Sequence, residues 1–314
     1  GYLSRPAGTE RPLLRAVANA DELIQRLVPL RPLTLLTAAD GNHGRAVAYV
    51  AALFGLDAKI YVPAGTAQAR IDGIASEGAQ VEIVHGTYDD AVARAAQDAN
   101  ERCLVISDTS WPGYEKIPRW VAAGYSTIFA EIDDELARRG EKAPDLVAIQ
   151  FGVGALAAAL VRHAWRGARP RILGVEPLRA ACGLESMRQD EIITVPGPHD
   201  SIMAGLNCGR PSLVAWPIVA RGIDAFIAVS DNRACEAMRS LQKVGVVAGE
   251  TGAAGLAGLL ALLHGPKDHR TALGIGRESR ALLLITEGAT DPDSYQRIVG
   301  HRPRERTASR PAAR

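Results

Sequence analysis

The sequence has 314 residues, of which 47% are hydrophobic and 23% charged, with a formal net charge of +1. That length allows one large domain or two modest ones around a sizeable core. The near-balanced charge gives no bulk electrostatic reason for a nucleic-acid or membrane-surface partner.

The opening residues, GYLSRPAGTERP, are irregular and hold no apolar run of signal-peptide length, so a cytoplasmic location is expected. Beyond them, short β-rich runs alternate with helical patterns. Strands are expected at residues 33–37, 58–62, 80–84, 104–107, 146–151, 171–175, 225–229 and 282–286, with helices at 45–54, 67–77, 89–99 and 155–166. LVAIQF and ALLLIT are apolar without alternation, as strands buried on both faces are. The β-α order predicts an α/β fold of mostly parallel sheets with helices on both faces. The most apolar stretch, residues 253–263, falls well short of the roughly 20 residues of a membrane span. Gly255 and Gly258 interrupt it, and it reads as a buried helix. The basic, aperiodic tail 301–314 is expected to be disordered.

Four cysteines, Cys103, Cys182, Cys208 and Cys235, form no CxxC pair, so no metal site is expected. Three strand-to-helix turns carry unusual chemistry. The first holds Asp40, Gly41, Asn42 and His43, polar groups that could simply cap a helix or could face a ligand. The second is Gly152, Val153, Gly154 and Ala155, whose main-chain amides could cup a phosphate at a helix N-terminus, or merely turn the chain. The third begins at Thr286, a hydroxyl able to meet a ring nitrogen without charging it, or to serve turn chemistry.

Together these strings resemble a known family. TAADGNHGRAVAYVAALFG is similar to the asparagine loop of fold-type II pyridoxal-phosphate (PLP) enzymes, and an aspartate before GNHG resembles the diaminopropionate ammonia-lyases. YVPAGTAQARIDGIASEGAQV, SDTSWPGYEKIPRWVAAGYSTIFAEI, FGVGALAAAL, GVEP, IMAGLNCG, GETGAAGLAG and ITEGATD extend the resemblance over residues 33–291.

The resemblance implies a two-domain fold-type II enzyme: an irregular 1–11, a small α/β domain 12–122 and the remainder of the PLP-binding domain 123–300. It implies α,β-elimination of 2,3-diaminopropionate to pyruvate and ammonia, with PLP as electron sink. Asn42 would bond the cofactor's 3′-oxygen, Gly152 to Ala155 would cup its phosphate, and Thr286 would meet the pyridine nitrogen. Gly41 and His43 would face the substrate carboxylate. Asp40 and Asp108 look like the two acid–base carboxylates, and their placement on opposite sides of the substrate would serve both enantiomers. A homodimer is also implied. Cys182 and Cys208 fall in family-like segments and are candidates for a disulfide or thiol pair, although a cytoplasmic setting argues against the disulfide.

One expected element has no match. The family holds its cofactor on a lysine some 40 residues before the asparagine loop, which would fall at or before Gly1. The lysines are Lys59, Lys116, Lys142, Lys243 and Lys267, and none is a natural substitute. The chain therefore reads as an N-terminally truncated or diverged member. Rival readings are a non-catalytic PLP- or amino-acid-binding relative and a serine/threonine dehydratase-like lyase.

Overall fold

The computed structural model describes residues 19–303, apart from Arg166 and Ala168. The expected irregular segment 1–11 and most of the tail 301–314 lie outside the described residues. Helix α1 (Ala20–Leu27) leads into β1 (Thr34–Ala38), α2 (Asn42–Leu53), β2 (Asp57–Pro63), α3 (Gln68–Ala75), β3 (Gln80–Val84), α4 (Tyr88–Gln97) and β4 (Cys103–Val105). Helices α5 (Lys116–Gly124) and α6 (Ser126–Arg138) cross to β5 (Leu146–Gln150), α7 (Ala155–Ala164), β6 (Arg171–Pro177) and α8 (Cys182–Gln189). Then come α9 (Trp216–Gly222), β7 (Ala225–Val229), α10 (Asp231–Lys243), α11 (Ala254–His264), α12 (Lys267–Ala272), β8 (Ala281–Leu283) and α13 (Pro292–Val299).

The eight expected strands are all present and form two four-stranded sheets, β3-β2-β1-β4 and β7-β6-β5-β8. Every pairing is parallel. The apolar run LVAIQ is buried along its whole length as β5. One face of this sheet packs on α7 and α9 through residues such as Ile149, Leu160 and Val219. The other packs on α10 and α11 through Leu173, Val175, Met238 and Ala257. Helix α11 is the buried helix expected near residues 253–263. It lies so close to β6 that a Cβ on Gly258 would stand 2.4 Å from Val175 Cγ2. The first sheet is sandwiched likewise, by α2 and α3 on one face and α4 on the other.

Three of the boundaries that differ from expectation bear on the site. Helix α2 begins at Asn42 instead of 45, which puts Asn42 and His43 in its first turn. Strand β4 ends at Val105 because its ladder with β1 stops there. Strand β8 ends at Leu283, because its ladder with β5 spans only three residue pairs. The carbonyls beyond it serve side chains: Leu284 O accepts from Gln150 Nε2 at 2.7 Å and Thr286 O from Asn42 Nδ2 at 2.8 Å.

Both sheets are wound alike. Strands are added outward from β1 to β3, and the chain then returns to the other side of β1 as β4; β5 to β7, followed by β8 beside β5, repeats this order. Each sheet thus reverses beside its first strand, and ligand crevices open at the carboxyl ends of strands at such reversals. The four turns that follow β1, β4, β5 and β8 are the ones holding Asp40, Asp108, Gly152 and Thr286. No helix among the described residues is long and apolar enough to cross a membrane.

Candidate active site

The four turns converge. Asn42, in the first turn of α2, donates through Nδ2 to Thr286 O and so ties the first sheet's reversal to the second's. His43 Nε2 lies 2.8 Å from Ile106 O, which locks the β1 turn onto the β4 turn. Beside them Ser110 Oγ and Ser212 Oγ meet at 2.7 Å, and Ser110 Oγ also accepts from Val214 N at 3.0 Å. Tyr88, at the start of α4, packs against Val153, Ala155 and Cys208. The capping box that starts α4, in which Thr87 and Asp90 exchange hydrogen bonds with each other's amides, sets where that ring points.

At the second turn the chain leaves β5, reverses through Gly154 at φ 94° and enters α7. Only glycine takes that left-handed conformation without strain. The amides of Gly152, Val153, Gly154 and Ala155 donate to no other backbone group among the described residues. They run into the N-terminus of a ten-residue helix capped at Gly154, where free amides suit an anion without a charged side chain. Gly152 itself is walled in, and a Cβ there would lie 3.2 Å from both Cys208 Sγ and Gly205 O. Thr286 Oγ1 is buried without a hydrogen-bond partner in the protein. A buried hydroxyl in that state is a group prepared for a polar partner.

The titratable groups are crowded and poorly solvated. Burial pushes the Asp40 carboxyl above the usual carboxylate range, Arg70 pulls it back, and the charge of Asp108 adds to the rise. Asp108 accepts a hydrogen bond from Tyr88 OH at 2.9 Å. Burial, then the nearby carboxylate of Asp108, raise the Tyr88 phenol well above its ordinary value and the Tyr125 phenol to about 12. Tyr88 and Arg70 escape a reading of motifs. The signal for Tyr88 is its place at a capped helix start, whereas an arginine in mid-helix carries none.

The proposed disulfide is not formed: Cys182 and Cys208 are free, buried thiols. Both lie against Gly152. Cys182 Sγ donates to Gly152 O at 3.7 Å, and Cys208 Sγ faces the open Cα side of the same glycine. Burial raises both thiols well above the ordinary thiol range, which disfavours the thiolate that oxidation requires. Among the described residues no group of three or more His, Cys, Asp or Glu side chains could hold a metal ion.

No lysine stands among the groups the four turns gather. Lys59 pairs with Glu82 at 2.8 Å and Asp98 at 3.3 Å. It lines a depression of about 770 Å³ at the amino ends of the first sheet, away from the four turns. Lys116 lies 5.0 Å over the ring of Trp120, and Lys142, Lys243 and Lys267 are exposed.

These features define a class: an α/β enzyme whose site is shaped to hold a phosphate in main-chain amides and a polar ring edge against a neutral hydroxyl. Comparison with known proteins gives the class its family. The family model of pyridoxal-phosphate dependent enzymes matches residues 10–286, and the chain belongs to that family. It is 34% identical over 298 residues to the diaminopropionate ammonia-lyase of Salmonella typhimurium, covering 90% of this chain and 73% of the relative. To that of Escherichia coli K12 it is 36% identical over 279 residues, covering 85% and 70%. The crystal structure of the holo Escherichia coli enzyme superposes with a TM-score of 0.78 at 34% identity, over 86% of this chain and 70% of that one. The orphaned Thr286 hydroxyl and the Gly152 to Ala155 cup fit pyridoxal phosphate, the family's cofactor.

Proposed function

We propose that this site is that of an ammonia-lyase acting on 2,3-diaminopropionate, with Asn42, the Gly152 to Ala155 amides and Thr286 holding PLP and with Asp40 and Asp108 handling protons. The observation that carries the reading is the bond from Asn42 Nδ2 to Thr286 O, which makes one pocket of two sheets' crevices. PLP, when bound, supplies an electron sink for the pair left at Cα on proton removal. The chain's residues supply the rest. The neutral Thr286 hydroxyl can hydrogen-bond a pyridine nitrogen without donating full charge to the ring. Amides around Gly41 and His43, at the start of α2, orient the substrate carboxylate. Asp40, with its proton affinity raised by burial, suits general-base work. Asp108, steadied by Tyr88 OH, is the second carboxylate and approaches from the β4 turn. Two carboxylates on different turns suit removal of a proton from either enantiomer. The small unit is proposed to span 12–122 and the larger 123–300, and the protein is proposed to act in the cytoplasm as a homodimer.

The second reading is a relative that binds PLP or amino acids without turnover. One experiment separates them. The chain is mixed with PLP, dialysed with and without borohydride, and then supplied with 2,3-diaminopropionate, serine or threonine. The lyase reading expects reversible PLP binding and pyruvate and ammonia released from diaminopropionate ahead of the other two. Bound PLP with no pyruvate leaves the binding relative, faster release from serine or threonine makes it a dehydratase, and failure to bind PLP removes both lyase readings.

A further inference from the structure

The turn after β8 is held by the first sheet's half at two successive residues. Thr286 O takes the Nδ2 donor of Asn42, from α2, at 2.8 Å. The Glu287 carboxylate takes Arg70 Nη2, from α3, at 3.5 Å. Glu250 Oε2 stands 3.7 Å from the same nitrogen, and all three side chains are 5% exposed. An arginine is almost never so buried unless it is paired. Within its own half, Glu287 is fastened by the string GETG, residues 249–252. Its Oε1 accepts from Thr251 N at 2.9 Å and its carbonyl from Gly249 N at 3.2 Å, while Thr290 Oγ1 donates to Oε2 at 3.3 Å. A Cβ on Gly252 would stand 2.5 Å from Glu287 O, so the two turns lie backbone to backbone.

We propose that Arg70 is a positioning residue for the Thr286 hydroxyl, acting through the Glu287 carboxylate. A single hydrogen bond to Thr286 O would let the turn rotate about that bond. A second attachment one residue further on removes the rotation, and Arg70 supplies it. Thr286 Oγ1, buried and without a partner in the protein, lies in the stretch so clamped. Its placement relative to α2 and α3 is thereby set by Asn42 and Arg70 together. The shared guanidinium also keeps Glu250 and Glu287 compatible at close quarters. With Arg70 removed, two buried carboxylates face each other without a counter-charge, and breaking a buried pair from one side is strongly destabilising to its surroundings. Glu287 then withdraws from its place, and the residue before it moves too.

The inference rests on the reading of Thr286 as the ring-nitrogen contact, and its test needs no turnover. The clamp is read first, without ligand, by hydrogen exchange of the 314-residue chain. Peptides covering 249–252 and 284–290 should exchange roughly tenfold faster in Arg70→Met, as for a lost buried partner, with β5 unchanged. Arg70→Lys keeps the charge but not the planar fork, and should fall between parent and Arg70→Met. It carries the test if Arg70→Met does not fold. The hydroxyl's placement is read next, by equilibrium dialysis with PLP and with its 1-deaza analogue, in which C–H replaces the ring nitrogen. Arg70→Met should bind PLP roughly tenfold more weakly and the analogue nearly as the parent does. In a Thr286→Val background the same change should cost PLP nothing further. An arginine of merely structural importance would weaken both ligands alike. That result, or unchanged exchange in both Arg70 variants, overturns the proposal. If the parent binds neither ligand, the cofactor reading falls, and exchange still decides whether Arg70 holds the turn.

Discussion

The two sheets are wound identically but contribute unlike things to the site. The second is buried on both faces, with β5 and nearly all of β6 inaccessible and helices of small residues laid directly on it. The first has an open edge at β3, where Ile83 is 52% exposed, and smaller clusters on each face. The second sheet offers main chain: the amides of Gly152 to Ala155 and the braced Thr286 turn. The first offers proton-bearing side chains, Asp40, His43, Tyr88 and Asp108. Under the proposed reading, rigid backbone would hold the cofactor and polar side chains would move the protons, so the division would follow the burial.

That contrast can be broken most forcefully in the core. Ile149→Ala in the second sheet should cost about 3–4 kcal/mol in denaturant unfolding, the usual range for a large residue lost from a packed interior. Ile83→Ala at the first sheet's edge should cost under ~0.5 kcal/mol, as exposed substitutions do. Equal losses would erase the distinction. Next comes the cup. Gly154→Val forces a β-branched residue to φ 94°. It should weaken PLP binding by roughly 100-fold, about 2.7 kcal/mol, as read by absorbance titration, while a value near the parent would show that the amides do not hold the phosphate. Asn42→Ala removes the tie between the halves and should weaken PLP binding by about tenfold, near 1.4 kcal/mol, with less loss of stability than Ile149→Ala.

The remaining prediction concerns pH. Glu176, fully buried at the end of β6, accepts from Gly183 N at 2.7 Å and Leu184 N at 2.8 Å. Burial pushes its carboxyl up to about 8 from the usual 4.5. The folded chain thus keeps a proton that the unfolded chain releases. The stability this contributes is complete below about 4.5 and is lost as the pH rises to about 8. The decline is at most ~1.4 kcal/mol per pH unit. Glu176→Gln, which cannot titrate, should flatten that part of the stability profile, and an unchanged slope would place the proton elsewhere.

Most of the architecture was legible from the chain because sheets buried on both faces write continuous apolar runs, as LVAIQ does, and parallel order follows from alternation with helices. Strand ends were not legible where side-chain amides replace the ladder. Thr286 lies past β8 because a residue 244 positions earlier takes its carbonyl. Among the site groups, the turns around Asp40 and Gly152 could be read because glycines and polar residues stand out after apolar strands. Arg70 could not, since its burial depends on Glu250 and Glu287, far along the chain. Of the disulfide or thiol pair expected at Cys182 and Cys208, the disulfide is not formed, because neighbouring motifs are visible in the chain while the bonding of two sulfurs is not.

The Asn42–Thr286 bond joins groups separated by 244 residues, near opposite ends of the described chain. A nascent polypeptide lacks this tie until β8 and the turn after it have emerged, so capture of the vitamin-derived ligand waits on that turn. Contacts so distant in sequence also form slowly, after local helices have already assembled. The ligand then acts as a keystone, adding about 2.7 kcal/mol at a hundredfold excess over its dissociation constant, and only to molecules in which both halves have closed.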